Sequence, residues 1–202
     1  MTTKKALLLL NLGTPDSPEP DDVGRYLKQF LMDKFVIDIA TPLRWFLVNI
    51  LIVPKRKHAS SEAYKTIWTK RGSPLLFYLH DLSERVQAIM PDTLVVPCMR
   101  YGNPSIESAL ADLKSRGIDE IQVFPLYPQY AESSTRSSRE EVERVAKALG
   151  LKAKITFVKD YFDHPAFITS FADKIRPVLE NEKPDHLLMS FHGLPERHMH
   201  KI

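Results

Sequence analysis

The sequence predicts an α/β fold built on parallel sheets flanked by helices. Three observations carry that expectation. Short apolar runs recur along the chain, helical periodicities separate them, and Gly, Pro or Asn punctuates the junctions. Strands that alternate with helices form βαβ units, and these build a mostly parallel sheet.

The apolar runs are Ala6–Leu12, Leu94–Met99, Ile121–Leu126, Ile155–Val158 and His186–Phe191. After the second run, Asn103 and Pro104 read as N-cap and first-turn proline of a helix. Its stripe is Ile106, Ala109, Leu110 and Leu113, and Gly117 closes it. After the third run, Ser137 with Glu140 reads as a capping box. Val142, Val145, Ala146 and Leu149 follow as a buried stripe, ended by Gly150. Ile168, Phe171, Ala172 and Ile175 give a third stripe, with Pro177 loosening its last turns. Residues 20–90 break this alternation with helical, apolar-rich sequence. An excursion of that length between the first two strands suits a lid or cleft wall.

A chain of 202 residues holds one sizeable domain, or one domain and part of another. The expected division is a first α/β domain over 1–150, with an insertion near 35–57, and the start of a second over 151–202. An internal echo supports two related halves: Asn11-Leu12-Gly13-Thr14-Pro15 and Ser190-Phe191-His192-Gly193-Leu194-Pro195 both run from an apolar strand into Gly-x-Pro. Coincidence between two turns is the other reading. A site opening as late as residue 192 needs residues beyond it, so the sequence reads as the front part of a longer protein, its second domain truncated.

Hydrophobic residues make up 44% and charged residues 26%, an ordinary globular balance. A net charge of +3 demands no broad basic face, so no nucleic-acid partner is expected. The single cysteine, Cys98, excludes a disulfide framework and a multi-cysteine metal centre within these residues. It fits a reducing cytoplasm. Phe35 to Val53 approaches the length of a membrane span, but Asp38, Pro42, Arg44 and Asn49 interrupt it. Two readings stay open: a core helix beginning near Pro42, or an exposed apolar lip. Trp45, Phe46, Leu47, Ile50, Leu51 and Ile52, bordered by Lys55, Arg56 and Lys57, suit a bilayer surface.

Three places can carry chemistry. His192 follows an apolar run and precedes Gly193 and Pro195, where a strand end would present it to a cleft. Its imidazole can accept a proton near neutral pH or bind a divalent metal. His198 and His200 read as surface residues, because their spacing is not a zinc motif. Arg100 sits between a strand end and a helix start, where it either holds an anionic ligand group or forms a salt bridge within the loop. Tyr127, Pro128 and Tyr130 form a stiff wall, and the run Ser133 to Ser138 either caps the next helix or bonds a carboxylate. Gly13-Thr14-Pro15 lacks the further glycines of a dinucleotide fingerprint, and no P-loop occurs.

Taken together, these blocks resemble the ferrochelatase family, enzymes that insert ferrous iron into a porphyrin in haem biosynthesis. The resemblance rests on Asn11-Leu12-Gly13-Thr14-Pro15, on Tyr64 through Gly72-Ser73-Pro74-Leu75, on Met99-Arg100-Tyr101, on Pro125 to Tyr130 with the hydroxyl run, and on Ser190 to Pro195. It implies two similar α/β domains with the porphyrin between them. His192 matches the catalytic histidine and metal contact, Leu12 lies against the macrocycle, and Tyr64, Ser73, Arg100 and Tyr101 line the cleft. The 35–57 region matches the lip through which the family meets membrane and substrate. Porphyrin and Fe²⁺ are then substrates, no cofactor is required, and some members carry an iron–sulfur cluster in the part beyond. The implied location is the cytoplasm, peripheral at the inner face of the membrane. A non-catalytic tetrapyrrole-binding module and a cobalt or nickel chelatase are the competing readings.

Overall fold

The structure is a computed structural model that describes residues 4–195. Four strands form one parallel sheet: β1 (Lys5–Gly13), β2 (Thr93–Tyr101), β3 (Glu120–Pro125) and β4 (Lys154–Phe157), in the order β2-β1-β3-β4. The run of leucines puts β1 at the centre. Ala6, Leu8 and Leu10 face a core shared with α5 (Ile106–Ser115) and α6 (Ser137–Ala148). Leu7 and Leu9 face the opposite core with Leu79 of α4 (Pro74–Ile89). A strand covered on both faces reads as an unbroken apolar run, as this one does. Pro97 lies on the outer strand β2, where a missing N–H breaks no central ladder.

The excursion between β1 and β2 is helical: α1 (Pro20–Leu31), α2 (Thr41–Phe46), a π-helical turn (Leu47–Ile52), α3 (Val53–Ile67) and α4. The α2–π segment does not supply a core helix. Only Arg44 and Val48 are buried there, while Leu43, Trp45, Phe46, Ile50 and Leu51 are all 40–58% exposed. Lys55 and Arg56 continue this exposed surface, and the partly buried Lys57 pairs with the exposed Asp21 at 2.8 Å.

The first four strands and the stripes of α5 and α6 lie where the sequence predicts them, but several local expectations need correction. The helix α5 begins after Ser105, whose hydroxyl caps the Ser108 N–H at 3.0 Å. Asn103 and Pro104 do not open it, because the Pro104 carbonyl extends the sheet edge by accepting the Met99 N–H at 2.7 Å. The capping box at Ser137 and Glu140 does not form. A π-helical turn, Glu132–Arg136, leads directly into α6, so Ser137 lies inside a helical run. The stripe of α7 (Pro165–Glu182) is not covered, and Ile168 and Phe171 are more than half exposed. Only the start of α7 is anchored, through Phe167 on Tyr161 and Tyr161 on Phe124. Finally, His186–Phe191 is not a strand: Leu188 is 91% and Phe191 76% exposed. Apolarity proposes a strand, but a ladder partner makes one, and none of the described residues supplies it. Residues 154–157, expected to open the second unit, are the edge strand of this sheet.

Candidate functional site

In a parallel sheet the strands deliver their carboxyl ends to one edge, and the loops there meet ligands. Here that edge collects the ends of β1, β2 and β3. Two glycines allow the first two turns to touch. Gly13 has φ +133°, and a Cβ there would stand 2.0 Å from the Tyr101 carbonyl oxygen. Gly102 has φ +80°, and a Cβ there would stand 2.5 Å from the Thr14 carbonyl oxygen. No other residue fits either position without moving backbone.

Most sequence-predicted ligand residues are brought to this region. Leu12 is half-buried at the end of β1, its N–H held by Asn11 Oδ1 at 2.8 Å. Ser73 is buried at the N-terminus of α4 and accepts the Thr14 hydroxyl at 2.8 Å, which pins α4 to the β1 turn. Tyr64 sits on α3 with its ring edge-on to Tyr26 at 6.2 Å. Tyr26 stacks on Phe30, and Phe30 meets Tyr101 edge-on at 5.2 Å, so an aromatic chain links Tyr64 to the end of β2. Burial pushes the phenols of Tyr64, Tyr26 and Tyr101 up, so they act as neutral hydrogen-bond groups.

Arg100 and Tyr101 converge on a residue that sequence reading missed. Asp33 follows α1, and its Oδ2 accepts from Arg100 Nη2 at 2.6 Å, from the Tyr101 hydroxyl at 2.7 Å, and from the Ser137 hydroxyl. Its Oδ1 accepts the Phe35 N–H at 2.8 Å. Arg100 Nε donates to Ser137 Oγ at 2.8 Å. The salt-bridge reading of Arg100 therefore describes it, and the carboxylate met by the hydroxyl run is the chain's own. Burial alone would raise the Asp33 carboxyl. Hydrogen bonds from Ser137, Phe35 and Tyr101 and the Arg100 charge outweigh it and hold the carboxyl below its usual range. The only sequence signal for Asp33 was an acid just past the end of a helix, which is too common to single out.

One residue further along α6, the Tyr127 hydroxyl and Ser138 Oγ lie 3.0 Å apart. Beside Asp33, Lys34 pairs with Glu140 at 3.0 Å, and the Arg136 guanidinium lies over the Phe35 ring at 5.2 Å. A hollow of about 350 Å³ opens there, lined by Phe35, Asp38, Arg44, Glu132 and Arg136. A larger hollow, about 1090 Å³, lies at the opposite, amino edge of the sheet around Lys5, Thr93 and Leu94, and none of the candidate site residues lines it.

His192 is not brought to this cluster. It is exposed, and its ring Nδ1 lies 2.6 Å from the Gly193 carbonyl oxygen. His198 and His200 lie outside the described residues. Among the described residues no group of three or more His, Cys, Asp or Glu side chains is placed to hold a metal ion. Cys98 is buried with its thiol pushed up by desolvation, which makes it a core residue rather than a nucleophile.

Comparison with known proteins decides the family. The ferrochelatase family model matches residues 4–202. The chain belongs to the ferrochelatase family. It is 45% identical over 200 residues to a ferrochelatase of Pseudomonas aeruginosa, covering 99% of this chain and 58% of that protein. It is 48% identical over 199 residues to a ferrochelatase of Azotobacter vinelandii, covering 98% and 58%. With a ferrochelatase of Bdellovibrio bacteriovorus the identity is 45%, covering 98% and 60%. The chain thus spans roughly three-fifths of the length of these curated relatives. A parallel sheet with the turns after β1 and β2 meeting at one edge is the frame on which this sequence places its motifs.

Proposed function

We propose that this chain carries the porphyrin-holding part of a ferrochelatase, which inserts Fe²⁺ into protoporphyrin IX or a related porphyrin in haem biosynthesis. One observation carries the reading. Motif residues scattered from Leu12 to Tyr101 meet around the carboxyl ends of β1 and β2, in a chain whose family match spans residues 4–202.

The chemistry fits an apolar, rigid slot. A free porphyrin carries two inner N–H protons, and a flat ring hides its nitrogen lone pairs from an approaching cation. Walls that bend the macrocycle use binding energy to expose those lone pairs. Leu12 would lie against the ring face, while Tyr64, Ser73, Arg100 and Tyr101 line the slot with neutral or charge-paired donors. His192 would act over the ring, either accepting the departing protons or contacting the metal. In this reading the residues after β4 belong to a second α/β unit that brings His192 over the ring. The protein works in the cytoplasm, against the inner face of the membrane. No helix among the described residues is long and apolar enough to cross a bilayer. The exposed side chains from Leu43 to Leu51 then meet the surface of a membrane.

The test is titration of the 202-residue chain with protoporphyrin IX, read by porphyrin fluorescence, followed by anaerobic addition of Fe²⁺. Saturable binding that Ser73→Trp or Leu12→Asp weakens by about tenfold or more supports the slot. Binding without iron insertion marks this length of chain as a tetrapyrrole-binding part alone. No saturable binding contradicts the reading.

A further inference from the structure

The Asp33–Arg100 pair has a consequence for which porphyrins the site accepts, and it rests on the porphyrin reading above. The Asp33 side chain is 4% exposed and the Arg100 side chain 12%. Of the three guanidinium nitrogens, Nε is taken by Ser137 and Nη2 by Asp33. Among the described residues Nη1 has no hydrogen-bond partner. The arginine thus offers its Nη1 amino group, while its charge is met at 2.6 Å by a buried carboxylate.

The surrounding cations are also paired with carboxylates, at more exposed positions. Arg136 pairs with Glu132 and Glu140, Lys34 with Glu140, and Arg144 with Glu141. The corner between β2 and α6 therefore presents donors and rings but little net charge. Porphyrins share an apolar macrocycle and differ in how many carboxylates surround it. A charge-neutral corner binds the ring and one edge group without rewarding each added carboxylate.

We propose that Asp33 is a specificity-determining residue: by neutralising Arg100 it disfavours the more highly carboxylated porphyrins. Asp33 touches no ligand and acts through Arg100. Removing its charge leaves the buried cation without its contact carboxylate, with only the more distant Glu141 to offset it, and in a low-dielectric setting the attraction then grows with each ligand carboxylate.

The experiment titrates the full 202-residue chain with deuteroporphyrin IX, coproporphyrin III and deuteroporphyrin dimethyl ester, which carry two, four and no free carboxylates. It compares wild type, Asp33→Asn, Arg100→Gln and the double variant. The expected result is that Asp33→Asn raises the affinity for coproporphyrin relative to the ester about three- to tenfold, with a smaller gain for the diacid. Arg100→Gln shifts the ratio the other way, and the double variant returns near wild type. The gain shrinks in about 0.5 M salt. If Asp33→Asn does not fold, Arg100→Gln carries the test by the sign of its shift. Equal weakening of all three ligands would make the pair structural only and overturn the proposal, as would an unchanged ratio. Failure of wild type to bind any of the three would overturn the porphyrin reading, and this proposal with it.

Discussion

Asp33 and Arg100 stand 67 positions apart in the chain and meet at 2.6 Å, both largely out of water. That contact joins the end of α1 to the end of β2. Ser137 adds the start of α6 to the same carboxylate oxygen. Three segments that shape the carboxyl edge are therefore held through one side chain, and a single substitution tests the whole arrangement.

Asp33→Ala is expected to cost about 3 kcal/mol at neutral pH, because it leaves the Arg100 charge buried without its partner. The pH dependence has a definite sign. The folded carboxyl lies below its ordinary value of 3.8, so its stabilising contribution is complete above that value. It is lost as pH falls through the lower folded value. Urea unfolding between pH 7 and pH 2 should therefore show a constant gap between wild type and Asp33→Ala down to about pH 4, and a closing gap below it. A gap that persists undiminished in acid would separate the stability from the ionised carboxylate.

The two glycine turns make a contrasting prediction. Gly13→Ala and Gly102→Ala each force a Cβ into backbone, against Tyr101 and Thr14 respectively. Each should cost at least about 3 kcal/mol by urea unfolding. Gly72 also has a positive φ, +92°, but a Cβ there meets nothing within 4 Å. Gly72→Ala should cost only the local backbone strain, about 1–2 kcal/mol. Equal costs at all three positions would mean that the close approach of the β1 and β2 turns is not what fixes them.

The exposed segment around Trp45 predicts weak, charge-assisted membrane binding. Co-sedimentation with vesicles containing anionic lipid should retain the chain at low salt and release it in about 0.5 M salt. Trp45→Glu with Phe46→Glu should reduce retention several-fold at unchanged stability, since both side chains are about half exposed. Retention that ignores both salt and these substitutions would point away from this surface.

What the sequence showed and what it hid divide along the range of the interactions. β1 was legible because Leu7 to Leu10 are apolar on both faces, which only a doubly covered strand needs. The stripes of α5 and α6 were legible because helical spacing is a local property. Leu12, Ser73, Arg100 and Tyr101 could be picked from motif blocks at strand and helix ends. Asp33 could not, since nothing near it in the chain points to Arg100. Ser137 was misread as a cap because its real partner lies 104 positions away. The run at 186–191 failed as a strand for the same reason: pairing is decided by a neighbour, and apolar sequence does not name one.

In the proposed enzyme this sequence supplies both the porphyrin slot and the histidine that acts over it. The most direct measurement uses a chimaera in which residues 1–202 are followed by the remaining length of the Azotobacter vinelandii ferrochelatase, which shares 48% identity with the chain over 199 residues. Anaerobic Fe²⁺ insertion is followed by loss of free-porphyrin fluorescence, with porphyrin binding measured in parallel. The chimaera is expected to insert iron, and His192→Ala to slow insertion by about a hundredfold or more while porphyrin affinity stays within a few-fold. Insertion by the His192→Ala chimaera at close to the parent rate would contradict it.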